Sequence, residues 1–112
     1  MKELSIVVAS KNTQRTIGQC LEALVGQYQG NDLEILVIDA STDGSAEIAR
    51  RFKQITLVQA DSACLVPELW KMGIELTGGE WVAFTTANFI PARNWIAELR
   101  ALIQENHAAV GG

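Results

Sequence analysis

The carboxylate best placed to meet a ligand is Asp39, which closes the apolar run Leu33-Glu34-Ile35-Leu36-Val37-Ile38 and opens the polar turn Ala40-Ser41-Thr42-Asp43-Gly44-Ser45. An acid at the mouth of a buried strand can accept an N–H donor in a fixed geometry. The same residue type also makes turns, by accepting from backbone amides just downstream or by capping the next helix. Other titratable side chains are placed less well. Glu68, Glu75 and Glu80 fall at helix or strand-start positions that read as solvent-facing, and His107 reads as a surface residue near the end of the last helix. Cys20 and Cys64 lack the close spacing of a metal or redox pair and read as plain reduced residues.

The elements that must hold Asp39 in place alternate between strand and helix. Leu4-Ser5-Ile6-Val7-Val8-Ala9 is a first strand, too continuously apolar for an edge. Asn12 or Thr13 can cap the helix behind it, whose stripe is Ile17, Cys20, Leu21, Leu24 and Val25. Gly30-Asn31-Asp32 breaks the chain before the Asp39 strand. Ser41, Thr42 and Asp43 are then candidate caps for a helix with Ile48, Ala49 and Phe52 inward, and Ile55-Thr56-Leu57-Val58 is a third strand. Pro67 suits the first turn of a third helix that turns Leu69, Met72 and Leu76 inward and ends at Gly78-Gly79. Trp81-Val82-Ala83-Phe84 is a fourth strand. A last helix from about Ala92 to Glu105 buries Trp95, Ile96, Leu99, Leu102 and Ile103, and Ala108 to Gly112 read as the start of a further strand. The fold class is therefore α/β, a three-layer open and mainly parallel sheet, in which ligands bind beyond the carboxyl ends of the strands.

Length and composition bound the rest. At 112 residues the chain suits one small domain, and the closing residues suggest a domain truncated at its C-terminal end. With 48% hydrophobic and 20% charged residues and a net charge of −4, it is an ordinary folded protein without a nucleic-acid footprint, since only Arg50 and Arg51 form a basic pair. No apolar run reaches about 18 residues and no signal peptide is seen, so a cytoplasmic location is the default expectation. The uncovered edge is expected to meet a missing C-terminal half or a second copy.

Four stretches read together narrow the class: Ser5 to Asn12, Ile35 to Ser45, Gly73-Ile74 leading to Gly79-Glu80-Trp81-Val82-Ala83-Phe84, and Pro91 through Trp95-Ile96. They resemble the nucleotide-binding half of family 2 glycosyltransferases, over nearly the whole chain. The resemblance implies a GT-A fold and, in a complete domain, transfer of a sugar from a nucleotide diphosphate sugar to an acceptor hydroxyl. It implies that Ala9, Ser10 and Lys11 line a base pocket and that Asp39 accepts a hydrogen bond from the nucleobase. A solvated lysine is an equal reading of Lys11, where the family often has an aromatic residue.

The departures bear on catalysis. Where the family has an Asp-x-Asp motif that holds a divalent cation, this chain has Thr86-Ala87-Asn88, whose neutral oxygens suit a hard cation poorly. Mn²⁺ or Mg²⁺ is therefore expected to bind weakly or not at all, with Thr86 and Asn88 at the degenerate metal or nucleotide-sugar position. Trp70 stands where the family has an arginine facing the nucleotide; it reads as a packing residue or a base-stacking one. No residue reads as the general base that inverting transfer needs. A catalytically silent binding or assembly module is the alternative. A phosphoryl-accepting receiver is disfavoured, because Ala9-Ser10 offers no acid pair.

Overall fold

The computed structural model describes residues 2–27, 33–77 and 79–111, with the side chains of 2, 79 and 106–111 left aside. Four strands, β1 (Lys2–Ser10), β2 (Leu33–Asp39), β3 (Thr56–Gln59) and β4 (Gly79–Thr86), form one sheet in the order β3-β2-β1-β4, and every neighbouring pair is parallel. The helices are α1 (Ile17–Val25), α2 (Ser45–Ala49), α3 (Val66–Leu76) and α4 (Trp95–Gly111). The apolar continuity of β1 follows from its place between β2 and β4, where both faces are covered.

Alternation along β1 sorts its side chains into two cores. Leu4, Ile6 and Val8 meet Ile17, Cys20, Leu21 and Leu24 of α1, Ala49 of α2, and Ile96 and Ile103 of α4. Val7 and Ala9 face the other way, with Leu36, Ile38 and Leu69 of α3. The result is three layers with α3 alone on one face, as expected for this fold class. No helix among the described residues is long and apolar enough to cross a membrane.

Several local expectations change. Neither Asn12 nor Thr13 is the α1 cap; Thr16 stands there without a side-chain capping bond, and the Thr13 carbonyl accepts from the amides of Thr16 and Ile17. Asn12 instead adopts a left-handed φ of 54°, a conformation asparagine tolerates, and is drawn into the neighbouring loop. Helix α2 has five residues, so Phe52 packs from beyond it. Of its candidate caps only Asp43 serves the helix start, from just outside the Gly44 cap. β3 begins one residue later than expected, while β4 extends beyond the expected run at both ends.

Leu76 and Leu102 are exposed, although both share a stripe with buried residues. Helical periodicity names the inward face but not how far along it the partner layer extends. Helix α4 continues through the stretch expected as a strand, because Ala108-Ala109 favour helix and no breaker precedes Gly111. The Gly30-Asn31-Asp32 break, Gly78 and the side chain of His107 lie outside the described residues.

Candidate functional site

The strand order reverses between β1 and β4: the chain steps from β1 to β2 to β3 on one side, then returns to place β4 on the other. That is where an open α/β sheet parts at its carboxyl end. The register sets Ser10 beside Asp39 and Ala9 beside Thr86 at this rim. Backbone bonds continue the ladder past the strands, Ala40 N to Ser10 O at 2.8 Å, Ala87 N to Ala9 O at 2.9 Å and Ala60 N to Asp39 O at 2.7 Å. Ala9, Ser10 and Asp39 are consequently almost wholly buried and form the floor of the site.

Above that floor, the loop after β1 and the loop after β2 are laced together. The Asn12 amide donates to Ser41 Oγ at 2.8 Å, and the Thr42 amide donates to Asn12 Oδ1 at 2.9 Å. Thr13 N reaches Ser45 Oγ at 2.9 Å, Gln14 N reaches Asp43 Oδ2 at 3.2 Å, and Gly44 N reaches Gln14 Oε1 at 3.0 Å. Ser10 Oγ and Thr13 Oγ1 share a bond of 2.8 Å, and Thr16 Oγ1 donates to the Ala87 carbonyl at 3.0 Å. Three strand-end loops thus act as one rim. A cleft of about 680 Å³ opens against it, lined by 11–16, Asp43 and Asn88.

Each expected site residue has a definite position. Asp39 points into its own turn: Oδ1 accepts Ser41 Oγ at 2.7 Å and Oδ2 accepts Ser41 N at 3.2 Å. The turn-forming role is therefore realised, while a carboxylate has about four acceptor positions in all. Lys11 is not simply solvated; its Nζ donates to the carbonyls of Ser62 at 2.5 Å and Cys64 at 2.9 Å, clasping the loop before α3. Thr86 Oγ1 donates to Asn88 Oδ1. Of the expected residues, Lys11 and Asn88 line the cleft, whereas Ala9, Ser10, Asp39 and Thr86 lie at or beneath its edge.

Sequence reasoning passed over Gln14, Arg15 and Thr16 as cleft residues. The signal that could have found them is their position, six residues of polar loop between the end of β1 and the start of α1. Trp70 is a packing residue: its Nε1 donates to the Thr85 carbonyl at 3.0 Å and its ring meets Phe84 at 5.8 Å between centroids. That contact docks α3 on β4 and keeps the indole away from the cleft lining.

The titratable side chains that line the cleft are Lys11, Arg15 and Asp43. Asp43 is the one carboxylate among the residues lining the cleft. Desolvation, the largest single influence, pushes its pKa upward, but the bonds from the Ser45 hydroxyl and from the Ser45, Gln14 and Asp43 amides together outweigh it and hold the carboxyl below its ordinary value. An acid so stabilised in its ionised form is a weak base near neutral pH. Cys20, buried in the α1 core, has a thiol pushed up to about 11 by desolvation, which makes it inert. Among the described residues no group of three or more His, Cys, Asp or Glu could hold a metal ion. Thr86 and Asn88 supply neutral oxygens already bonded to each other, so the donor set does not fit a divalent cation.

Comparison with known proteins agrees with this fold. Glycosyltransferase GlyG of Streptococcus pneumoniae is 31% identical over 115 residues, spanning 98% of this chain and 38% of that protein. The uncharacterized glycosyltransferase YibD of Escherichia coli is 34% identical over 92 residues, 77% of this chain and 26% of its own length. In fold, the chain resembles S. aureus TarS in complex with UDP, with a TM-score of 0.82 at 22% identity over 94% of this chain and 33% of that one. It also resembles the mannosyltransferase PcManGT from Pyrobaculum calidifontis in complex with GDP-Man and Mn²⁺, with a TM-score of 0.73 at 26% identity over 85% of this chain and 32% of that one. The chain spans 26% to 38% of the length of these proteins. The sequence profile described as Glycosyl transferase family 2 matches residues 5–112, almost the whole chain, and with a parallel sheet whose strand order reverses between β1 and β4 it places this protein in glycosyl transferase family 2.

Proposed function

We propose that the protein binds a nucleotide diphosphate sugar over the carboxyl ends of β1, β2 and β4 and, within a complete domain, serves transfer of the sugar to an acceptor hydroxyl. The observation that carries this reading is the laced rim and its open cleft at the point where the strand order reverses. TarS and PcManGT, which share the fold, were solved with UDP and with GDP-Man respectively, and these nucleotides are the natural first probes. In this reading Ala9 and Ser10 are the floor under the base. Asp39 presents its remaining acceptor positions to a base N–H, and Lys11 holds the Ser62–Cys64 loop as a wall. Asn88 meets the diphosphate or sugar.

A second reading has a specific observation behind it. The neutral Thr86 and Asn88, and the absence of a suitably basic carboxylate in the cleft lining, favour a binding module without turnover. Thermal unfolding of the complete domain with UDP, UDP-GlcNAc, GDP and GDP-mannose, beside an assay of sugar release from the two nucleotide sugars, tests both. A ligand at 100 times its Kd adds about 2.7 kcal/mol to stability. Stabilisation with sugar release supports the transferase, stabilisation without it supports the module, and no response to any of the four contradicts nucleotide-sugar binding.

A further inference from the structure

We infer that Arg15 provides the positive charge for the donor diphosphate in this protein, and that the nucleotide binds without a divalent cation. The inference rests on the nucleotide-sugar reading above and adds to it the means of charge compensation. A nucleoside diphosphate is strongly anionic and needs positive charge wherever it is desolvated. The place after β4 where acids would hold a bridging cation carries Thr86 and Asn88 instead, and the Asn88 amide oxygen is engaged by the Thr86 hydroxyl. A metal recruited there would have no charged ligand to fix it.

The same cleft supplies the missing charge directly. Its lining includes two cations, Lys11 and Arg15, against one carboxylate, Asp43, in a chain whose net charge is −4. Lys11 is committed to the Ser62 and Cys64 carbonyls, and Asp43 to Ser45 and Gln14. Arg15 is exposed, and among the described residues its guanidinium has neither an ion pair nor a hydrogen bond. It sits in the turn leading into α1, in the same lining as Asn88 and Thr16. A guanidinium presents paired donors that match phosphate oxygens bidentately, a geometry that lysine lacks. Because Thr16, the N-cap of α1, makes no side-chain capping bond and lines the cleft, the positive end of the helix dipole opens on the same cleft and adds to the field.

Calorimetric titration with UDP, UMP, GDP and GMP, each in Mn²⁺ and in EDTA, tests the assignment. The expected result is the same diphosphate affinity in Mn²⁺ and EDTA. Arg15→Gln should weaken the diphosphates about tenfold, as loss of charge-assisted hydrogen bonds does, and leave the monophosphates nearly unchanged, with Arg15→Lys recovering only part of the loss. In a Thr86→Asp/Asn88→Asp variant, affinity should become Mn²⁺-dependent. Binding that requires Mn²⁺ in the unaltered protein, or equal diphosphate and monophosphate losses in Arg15→Gln, overturns the inference while leaving nucleotide binding intact. Absence of binding to all four nucleotides in both conditions removes the nucleotide-sugar reading and this inference with it.

Discussion

Asp39 and Asp43 lie four residues apart, and each closes its own hydrogen-bonded turn on the same rim, Asp39 with Ser41 and Asp43 with Ser45. The depressed pKa of Asp43 has a consequence for stability. Its folded value lies below the ordinary value of about 3.9, so the unfolded chain binds the extra proton as the solution is acidified. The stabilisation is present above the ordinary value and is lost as pH falls through the folded one. Urea unfolding as a function of pH should show this loss in the unaltered protein and a flatter acid limb in Asp43→Asn. The effect is small because the carboxylate is exposed to solvent. An acid limb unchanged by the substitution would show that the Ser45 and Gln14 bonds do not favour the ionised form in solution.

At the scale of elements, the contact that seats α3 on the sheet depends on Gly73. A β-carbon added there would lie 2.3 Å from Val7 Cγ1 and 2.9 Å from Val7 Cγ2, and both residues are buried in the middle of the layer. Gly73→Ala should therefore destabilise the fold by about 1–3 kcal/mol, the usual range for overpacking, in spite of alanine's better helix propensity. Gly73→Ala with Val7→Ala should recover part of that loss in chemical denaturation; no recovery would place the cost elsewhere. Elements whose pattern repeats locally were legible in the chain. The β2 run up to Asp39, the α1 stripe and the Pro67 start of α3 all appear where period and punctuation put them. The extent of α3 and α4 was not, because Leu76 and Leu102 keep the helical period beyond the layer that buries their neighbours. The lacing of Asn12 and Gln14 to Ser41–Gly44 joins residues about 30 positions apart, and no local pattern encodes it. The strand-end position of Asp39 was readable from its apolar run; the direction of its carboxylate, set by Ser41, was not.

Over the whole molecule, a sheet covered on both faces holds three loops at one rim, so the site is built by topology and tuned by a few side chains. Two cations gather in a cleft of an otherwise acidic chain, which suits an anionic ligand. The most direct test is an ¹⁵N amide-shift titration of the protein with UDP and with GDP. The account predicts saturable shifts concentrated at Ser10–Thr16, Asp39–Asp43 and Thr86–Asn88 for at least one of the two. Shifts absent for both, or centred on the distant groove lined by Gln27, Arg93 and Arg100, would contradict it.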